Sequence, residues 1–498
     1  MSEQTDHAVD VLVIGAGLSG VGAAYRLQTE CPDRTYAVLE SRDVIGGTWD
    51  LFRYPGVRSD SDIFTFCYPF RAWEGEQTLA DGESIRRYIA QVAAENGIDR
   101  RIRFGTQVLH AAWSSETARW TVTARRTADE TTETWLCAFL YACSGYYDYT
   151  GGHTPHIAGV EDFAGQLVHP QFWPEHLVTA GKRVVVIGSG ATAITLVPAL
   201  AGTAGHVTML QRSPSWLISQ RQDDPLTQRL RRRLPPKLAH RAVRLRNLAL
   251  GQGFYELTRR RPDVARAYLS KPVVRRLGPE LAAEHFTPAY DPWDQRLCVM
   301  PDSDFLKAVK RGEAEVVTDT IDRFVPEGIR LTSGRLLEAD LVVTATGLQM
   351  RLLSGFSLSV DASPVVLPDR ALYRGLMLDG VPNFALSIGY VNASWSLRSD
   401  LSSRYVCRFL NRLRRRGLAF GYPVRPPGLQ EKPVMPLTSG YVRRATASLP
   451  VQGSSDPWTV PQNYLVDLLR MRRARLAADM HFEAATVGVN RARSGEAG

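Results

Sequence analysis

A chain of 498 residues, 44% hydrophobic and 22% charged, has room for about three domains of ~150 residues and is too apolar to be disordered or fibrous. Its 60 Lys and Arg outnumber 51 Asp and Glu, giving a net charge of +9 and a pI near 9.3. An excess of that sign suits nucleic acid, an anionic membrane surface or a phosphorylated cofactor, and its place in the chain decides among them. The six cysteines, Cys31, Cys67, Cys137, Cys143, Cys298 and Cys407, include no C-x-x-C and no Cys/His cluster of zinc spacing. A disulfide framework, a redox dithiol and a metal site all lack support. The N-terminus has no basic n-region of a secretory signal. The uncharged run 184–205 is broken by Gly188, Gly190 and Pro198 and reads as strand, loop and helix, not as a membrane span. The expectation is a cytoplasmic protein with reduced thiols.

In chain order, Asp10-Val-Leu-Val-Ile-Gly15-Ala-Gly17-Leu-Ser19-Gly20 is an apolar strand breaking into glycines before a helix-forming stretch. Lys182-Arg-Val-Val-Val-Ile-Gly188-Ser189-Gly190-Ala191-Thr192-Ala193 repeats the plan. Each copy closes on a buried-strand run ending in glycine, Ala138 to Gly145 and Ala339 to Gly347. The pattern predicts an α/β chain with two doubly wound, Rossmann-like nucleotide-binding domains. The first two glycines allow a tight turn close to a pyrophosphate. The third position, Gly20 or Ala193, lets helix and strand pack closely.

The end of the next strand separates the two nucleotides. Tyr36-Ala-Val-Leu-Glu40 places a carboxylate 20 residues beyond Gly20, suited to ribose hydroxyls. In the second copy, Val207-Thr-Met-Leu-Gln211-Arg212-Ser213 has lost the carboxylate and gained an arginine, which favours a 2′-phosphate. One domain therefore suits FAD and the other NADPH. Residues 106–140 alternate as a β-meander. Residues 216–295 read as a helical insert, with Pro235-Pro236 opening one helix. A further helix is predicted over Leu401 to Arg416, and the last residues, 486–498, read as a disordered tail. The resulting division is 1–148 for FAD, 149–215 and 296–348 for NADPH, 216–295 for the insert, and 349–485 completing the FAD domain.

Two longer motifs narrow the chemistry. Phe163-Ala-Gly165-Gln-Leu-Val-His169-Pro-Gln-Phe-Trp173-Pro174 fits F-x-G-x-x-x-H-x-x-x-W-P, and Gly46-Gly47-Thr48-Trp49-Asp-Leu-Phe-Arg-Tyr54-Pro55-Gly56-Val-Arg58-Ser59-Asp60 forms a second signature. On both, the chain resembles the type I Baeyer–Villiger monooxygenases. The segment Phe286 to Cys298, which holds Arg296, resembles the branch of the mycobacterial ethionamide-activating monooxygenases. The resemblance implies FAD contacts at Ser19, Glu40, Thr48, Trp49, Asp60 and the backbone of Val108. It puts Arg58, Ser59 and Asp60 where nicotinamide meets flavin, Gly188 to Ala193 at the NADPH pyrophosphate, and Arg212 and Ser213 at its 2′-phosphate. Arg296 matches the active-site arginine, with Asp60 as the group that orients it. His169 belongs to a fingerprint that links the two domains and is not assigned as an acid or base. Gln295 departs from related branches, where a lysine helps to bind the 2′-phosphate.

The implied reaction uses NADPH and O2 to insert oxygen into a lipophilic ketone through a C4a-peroxyflavin, giving an ester or lactone. The alternative is oxygenation of sulfur or nitrogen in sulfides, thioamides or amines, since relatives in this branch oxidise sulfur. A disulfide reductase is disfavoured because Cys137 and Cys143 on one strand would lie some 20 Å apart. No helix-turn-helix, RRM or zinc-finger signature supports nucleic acid.

The basic excess has an address. Residues 221–280 carry 16 Lys and Arg against 5 Asp and Glu, a net of +11, so the rest of the chain sums to −2. Within them Leu238, Ala242, Leu245 and Ala249 recur at helical spacing, flanked by Lys237, Arg241 and Arg244. Such a stretch suits peripheral contact with an anionic membrane or, more simply, a solvated helix face over the active site.

Overall fold

The computed structural model describes residues 6–484, so the tail expected at 486–498 lies outside them. Valine-rich runs form the centre of each sheet. Asp6–Ile14 (β1) lies in the first sheet between Tyr36–Leu39 (β2) and Thr132–Ala142 (β6), parallel to both, with Ile102–Arg103 (β3) beyond β2. Thr106–Ser114 (β4), Arg119–Arg126 (β5) and β6 form the antiparallel meander read from the sequence. The second sheet contains Gln166–Val168 (β7), Arg183–Ile187 (β8), His206–Gln211 (β9), Ala314–Thr318 (β10) and Leu341–Thr344 (β11). Its strands are all parallel, in the order β10-β9-β8-β11-β7. The chain then returns to the first sheet: Ser357–Val360 (β12) pairs with β4 and Phe384–Leu386 (β13) with β6.

Successive residues of a strand point to opposite faces, and both faces of both sheets are covered. Val11, Val13, Phe139 and Tyr141 enter one core of the first sheet, while Leu12, Ile14, Leu140 and Ala142 enter the other. In the second sheet Val184 and Val186 face one core, Val185 and Ile187 the other. Strands buried on both faces read as continuous apolar runs, which is why the frames were visible in the sequence. The run 184–205 is β8, a loop and a helix, and among the described residues no helix is long and apolar enough to cross a membrane. All six cysteines are buried free thiols.

Each frame follows its first strand with a helix: Leu18–Glu30 (α1) and Ala191–Ala201 (α2). Residues 216–295 are mainly helical but start with a strand, Leu217–Gln220, paired to Cys298–Pro301. Then come Pro225–Arg233 (α3), Pro236–Arg260 (α4), Pro262–Leu277 (α5) and Pro279–His285 (α6), each opened by the proline that suits a first helical position. Arg244 does not share the exposed basic flank read from the sequence. It is buried, and its Nη1 donates to the Phe64 and Cys67 carbonyls at 3.1 and 2.8 Å, capping the short helix Ile63–Phe66.

Helix Trp395–Arg415 (α7) packs on α1 and begins six residues before the predicted Leu401. Its first turns bury Ser396, Arg398, Ser399, Ser402 and Ser403, polar residues that hide the helical period. Arg398 is paired inside with Asp467, which also accepts from the Tyr390 hydroxyl at 2.6 Å. Two more helices of the C-terminal region, Gly440–Ala445 (α8) and Tyr464–Arg473 (α9), follow.

Candidate active site

The glycine loops of both frames open into one cleft of about 1210 Å³. Each loop turns at a glycine in the left-handed region, Gly15 at φ +101° and Gly188 at φ +136°. A Cβ on Gly15 would lie 2.8 Å from the Cys143 carbonyl oxygen, and one on Gly188 2.4 Å from that of Ala345. Each loop thus sits against the closing strand of its own frame, at the carboxyl ends where such sheets bind ligands. The helices that follow are capped by Gly17 and Gly190 without any side-chain hydrogen bond. Their first amides are left for an anion, a donor set that fits a dinucleotide pyrophosphate.

In the first frame Glu40 is buried. Its Oε2 accepts from Ala16 N at 2.7 Å and its Oε1 from Arg42 N at 3.0 Å. Burial pushes its carboxyl above the usual range, and the two backbone donors with Arg42 oppose this. Gly17, Ser19, Glu40, Gly47, Thr48, Trp49 and Val108 all line the cleft, while Gly20 lies beneath it. The Ser19 hydroxyl accepts from Trp395 Nε1 at 2.8 Å, so α7 pins the start of α1.

In the second frame Gly188, Ser189, Gly190, Ala191 and Thr192 line the same cleft, and Ala193 is fully buried behind them. Gln211, at the position of the missing carboxylate, turns away. Its Nε2 donates to the His285 carbonyl at 2.7 Å and to Thr318 Oγ1 at 2.9 Å. Arg212 and Ser213 are exposed at the cleft wall, and the Ser213 carbonyl accepts from Ser189 Oγ at 2.8 Å.

Where the two halves meet, Arg296, Gln295, Arg58, Ser59 and Asp60 line the cleft. Arg296 Nη2 donates to the Tyr146 hydroxyl at 3.3 Å, and its buried Nε has no partner among the described residues. Tyr146, and after it Tyr441, Tyr147 and Asp60, favour its charged form against the cost of burial, and a guanidinium keeps its proton in any case. No ion pair within 4.0 Å joins Asp60 to Arg296; the side-chain hydrogen bond of the arginine is the one to the Tyr146 hydroxyl. Asp60 opens to the cleft while protein surrounds it, and desolvation raises its pKa against Arg296 and Arg58. Arg58 pairs with Asp304 at 3.4 Å.

Of the two long motifs, 46–60 reaches across to the second frame, and 163–174 holds the connection between the frames against the end of the second. Gly56 lies against α2, where a Cβ would meet Ala199 Cβ at 2.9 Å and the Thr195 carbonyl at 3.1 Å. His169 Nε2 bonds to the Gly347 carbonyl at 3.3 Å and its Nδ1 accepts from Gln171 N at 3.2 Å. With Nδ1 accepting, the ring is neutral; burial lowers its pKa, which the Gly347 bond opposes. The ring also covers Gly152 on the connection between the frames, where a Cβ would overlap it at 1.9 Å. Gln171 Nε2 donates to the Asp148 carbonyl at 2.8 Å on the same connection.

A family model described as Flavin-binding monooxygenase-like matches residues 8–234. Over 476 residues the chain is 48% identical to the FAD-containing monooxygenase EthA of Mycobacterium tuberculosis, spanning 95% of this chain and 96% of that one. It belongs to the FAD-containing monooxygenases. EthA of Mycolicibacterium smegmatis is 47% identical over 482 residues, 96% and 97% of the two chains. In fold, this monooxygenase matches an oxidized steroid monooxygenase bound to NADP with a TM-score of 0.75 at 23% identity, over 96% of this chain and 100% of that one.

Some of the monooxygenase's cleft residues carry no motif. Tyr146 and Tyr147 follow directly on Gly145, the closing glycine of the first frame, which is the one local signal for them. Trp395, Tyr441, Arg443 and Arg444 come from the C-terminal region, with no spacing that ties them to the glycine loops.

Proposed function

We propose that this monooxygenase uses NADPH and O2 to insert an oxygen atom into lipophilic ketones, giving esters or lactones. FAD would sit on the loop Gly15–Gly20 with Glu40, Thr48 and Trp49, and NADPH on Gly188–Ala193 with Arg212 and Ser213. The domain reading that goes with it assigns 1–148 and 349–485 to FAD, and 149–215 and 296–348 to NADPH. The observation that carries the proposal is Arg296, a protonated guanidinium in the cleft with a free buried Nε and one bond, to Tyr146. When bound, the reduced flavin supplies activated oxygen, with electrons drawn from NADPH.

The residues then have separate tasks. Arg296 donates to the substrate oxygen as negative charge develops there, a preorganised contact worth about 3–4 kcal/mol in the transition state. Its planar, permanent charge suits an oxyanion, since it loses no proton near neutral pH. Tyr146 fixes the plane of the guanidinium, and Asp60 moderates its field without neutralising it. His169, neutral and saturated, ties the halves together and moves no proton.

A second reading, oxygen transfer to sulfur or nitrogen, is the one that the resemblance of Phe286 to Cys298 to the ethionamide-activating branch implies. Such transfer develops no oxyanion on the substrate, so Arg296→Ala separates the two. In the variant we expect FAD content and NADPH oxidation to persist, ester formation to fall roughly 100- to 1000-fold, and sulfoxide formation to fall much less. Ester formation at the wild-type rate would remove Arg296 from the reaction. Wild-type protein that oxygenates sulfides and no ketone would replace the first reading with the second.

A further inference from the structure

The outward side of the insert has a composition that oxygen transfer does not use. Of the 21 large hydrophobic side chains exposed among the described residues, nine fall between Leu226 and Leu281, under an eighth of that chain. On α4 the buried side is Ala239, Val243, Arg244 and Thr258. The set Leu238, Ala242, Leu245 and Ala249 turns the other way, with Leu238 51% and Leu245 59% exposed. The apolar stripe of this helix therefore points out of the protein, the reverse of a helix that docks on its own core.

The same insert carries unpaired charge. The insert's ion pairs engage Arg246, Arg259, Arg260 and Arg266, leaving Arg229, Arg232, Arg233, Lys237 and Arg241 without a carboxylate partner among the described residues. A second segment with the same composition touches α4 from the far end of the sequence. Gln252 Nε2 of α4 donates to the Gln462 carbonyl at 3.4 Å, just before α9. That helix exposes Leu465, Val466 and Leu469 and ends in Arg470, Arg472 and Arg473.

We infer that this face rests on an anionic lipid surface, its leucines entering the headgroup boundary and its arginines meeting lipid phosphates. Both halves of the composition are then used: the leucines leave water and the free cations find anions. A nucleic acid would satisfy the arginines and leave the leucines wet. A second copy would oppose two segments each of net charge +11, which repel. Since no described helix can cross a bilayer, the contact is peripheral.

The test is co-sedimentation of the FAD-loaded enzyme with vesicles of equimolar phosphatidylglycerol and phosphatidylcholine, beside vesicles of phosphatidylcholine alone. Wild-type protein is expected to pellet with the first and not the second, with binding reduced several-fold by added salt. The variant Leu238→Glu/Leu245→Glu changes only exposed positions, so flavin content and NADPH oxidation in solution should equal wild type. Its binding should fall about tenfold or more, from two leucines that no longer enter the boundary. Arg232→Ala/Arg233→Ala/Arg241→Ala should bind less well and with a shallower salt dependence. Failure of the wild type to pellet with anionic vesicles would overturn the inference, as would wild-type binding by the double glutamate variant. A lipid-free dimer abolished by the same two glutamates would give the face to a second copy instead. None of these readouts depends on which substrate is oxygenated.

Discussion

At the end of the second strand of each nucleotide frame the chain sets a polar side chain, and the two are used in opposite ways. Glu40 stays at the cleft, buried, and fixed by the amides of Ala16 and Arg42. Gln211 turns into the protein and holds the end of the insert through the His285 carbonyl and Thr318. The next residue, Arg212, is left to face the cleft. The third glycine differs too: Gly20 lies so near its loop that a Cβ would stand 1.8 Å from the Gly15 carbonyl oxygen, whereas Ala193 already carries one. The first frame is thus built around close approach, the second around a charge displaced by one residue. A position equivalent in sequence need not be equivalent in use.

The largest effect should come from breaking the close approach. Gly20→Ala puts a methyl group into backbone that cannot yield like a side chain, so the loop must open. We expect protein without bound flavin, read from the visible spectrum, or no soluble protein at all. The reciprocal Ala193→Gly should cost about 1 kcal/mol of stability and keep NADPH oxidation. If Gly20→Ala retains full flavin, the frames do not differ as argued.

Next in size is the displaced charge. Arg212→Ala should lower kcat/KM for NADPH about 10- to 100-fold, the loss of charge-assisted bonds of about 1.5–3 kcal/mol, and leave NADH nearly unchanged. Gln211→Glu should not create a preference for NADH. Its carboxylate would face the His285 carbonyl, with no path to a ribose, and would show as a lower melting temperature. Equal kcat/KM for NADPH and NADH in the wild type would remove the role given to Arg212.

How far the sequence could be read follows from the same physics. Strands buried on both faces announce themselves, so both frames and the meander were legible. Pairing of β12 with β4 and β13 with β6 joins residues more than 200 positions apart and leaves no local trace. The start of α7 was hidden because Arg398 and four serines are buried where a period would show leucines. In the site, spacing and motif pointed to the glycine loops and Arg296, which the fold brings to one cleft. The expectation paired Arg296 with Asp60; the hydroxyl at hydrogen-bond distance is that of Tyr146, four residues past a closing strand, where only the neighbouring Gly145 gives a local signal. The amphipathic spacing of α4 was legible, but not that its apolar stripe points outward, because periodicity names two faces without saying which is covered.

The smallest expected effect bears on Gln295, where related branches carry a lysine. With that cation absent, a compensating charge has to come from elsewhere, and α8 offers Arg443 and Arg444 at the cleft wall. Arg444 makes no ion pair among the described residues. Its Nη2 donates to the Leu348 carbonyl at 3.5 Å and lies 3.8 Å from where a Cβ on Gly347 would stand, at the closing end of the second frame. After burial, its charge is what lowers the pKa of His153 nearby. An exposed, solvent-screened cation of this kind contributes about 0.5–1 kcal/mol. Arg444→Ala should therefore raise the KM for NADPH by roughly two- to fivefold with kcat unchanged, a smaller loss than that of Arg212→Ala. The comparison with NADH then places the charge: a loss confined to NADPH puts Arg444 at the 2′-phosphate beside Arg212, an equal loss for both puts it at the shared pyrophosphate. No loss for either leaves Arg212 as the second frame's principal cation and sharpens its contrast with the carboxylate of the first.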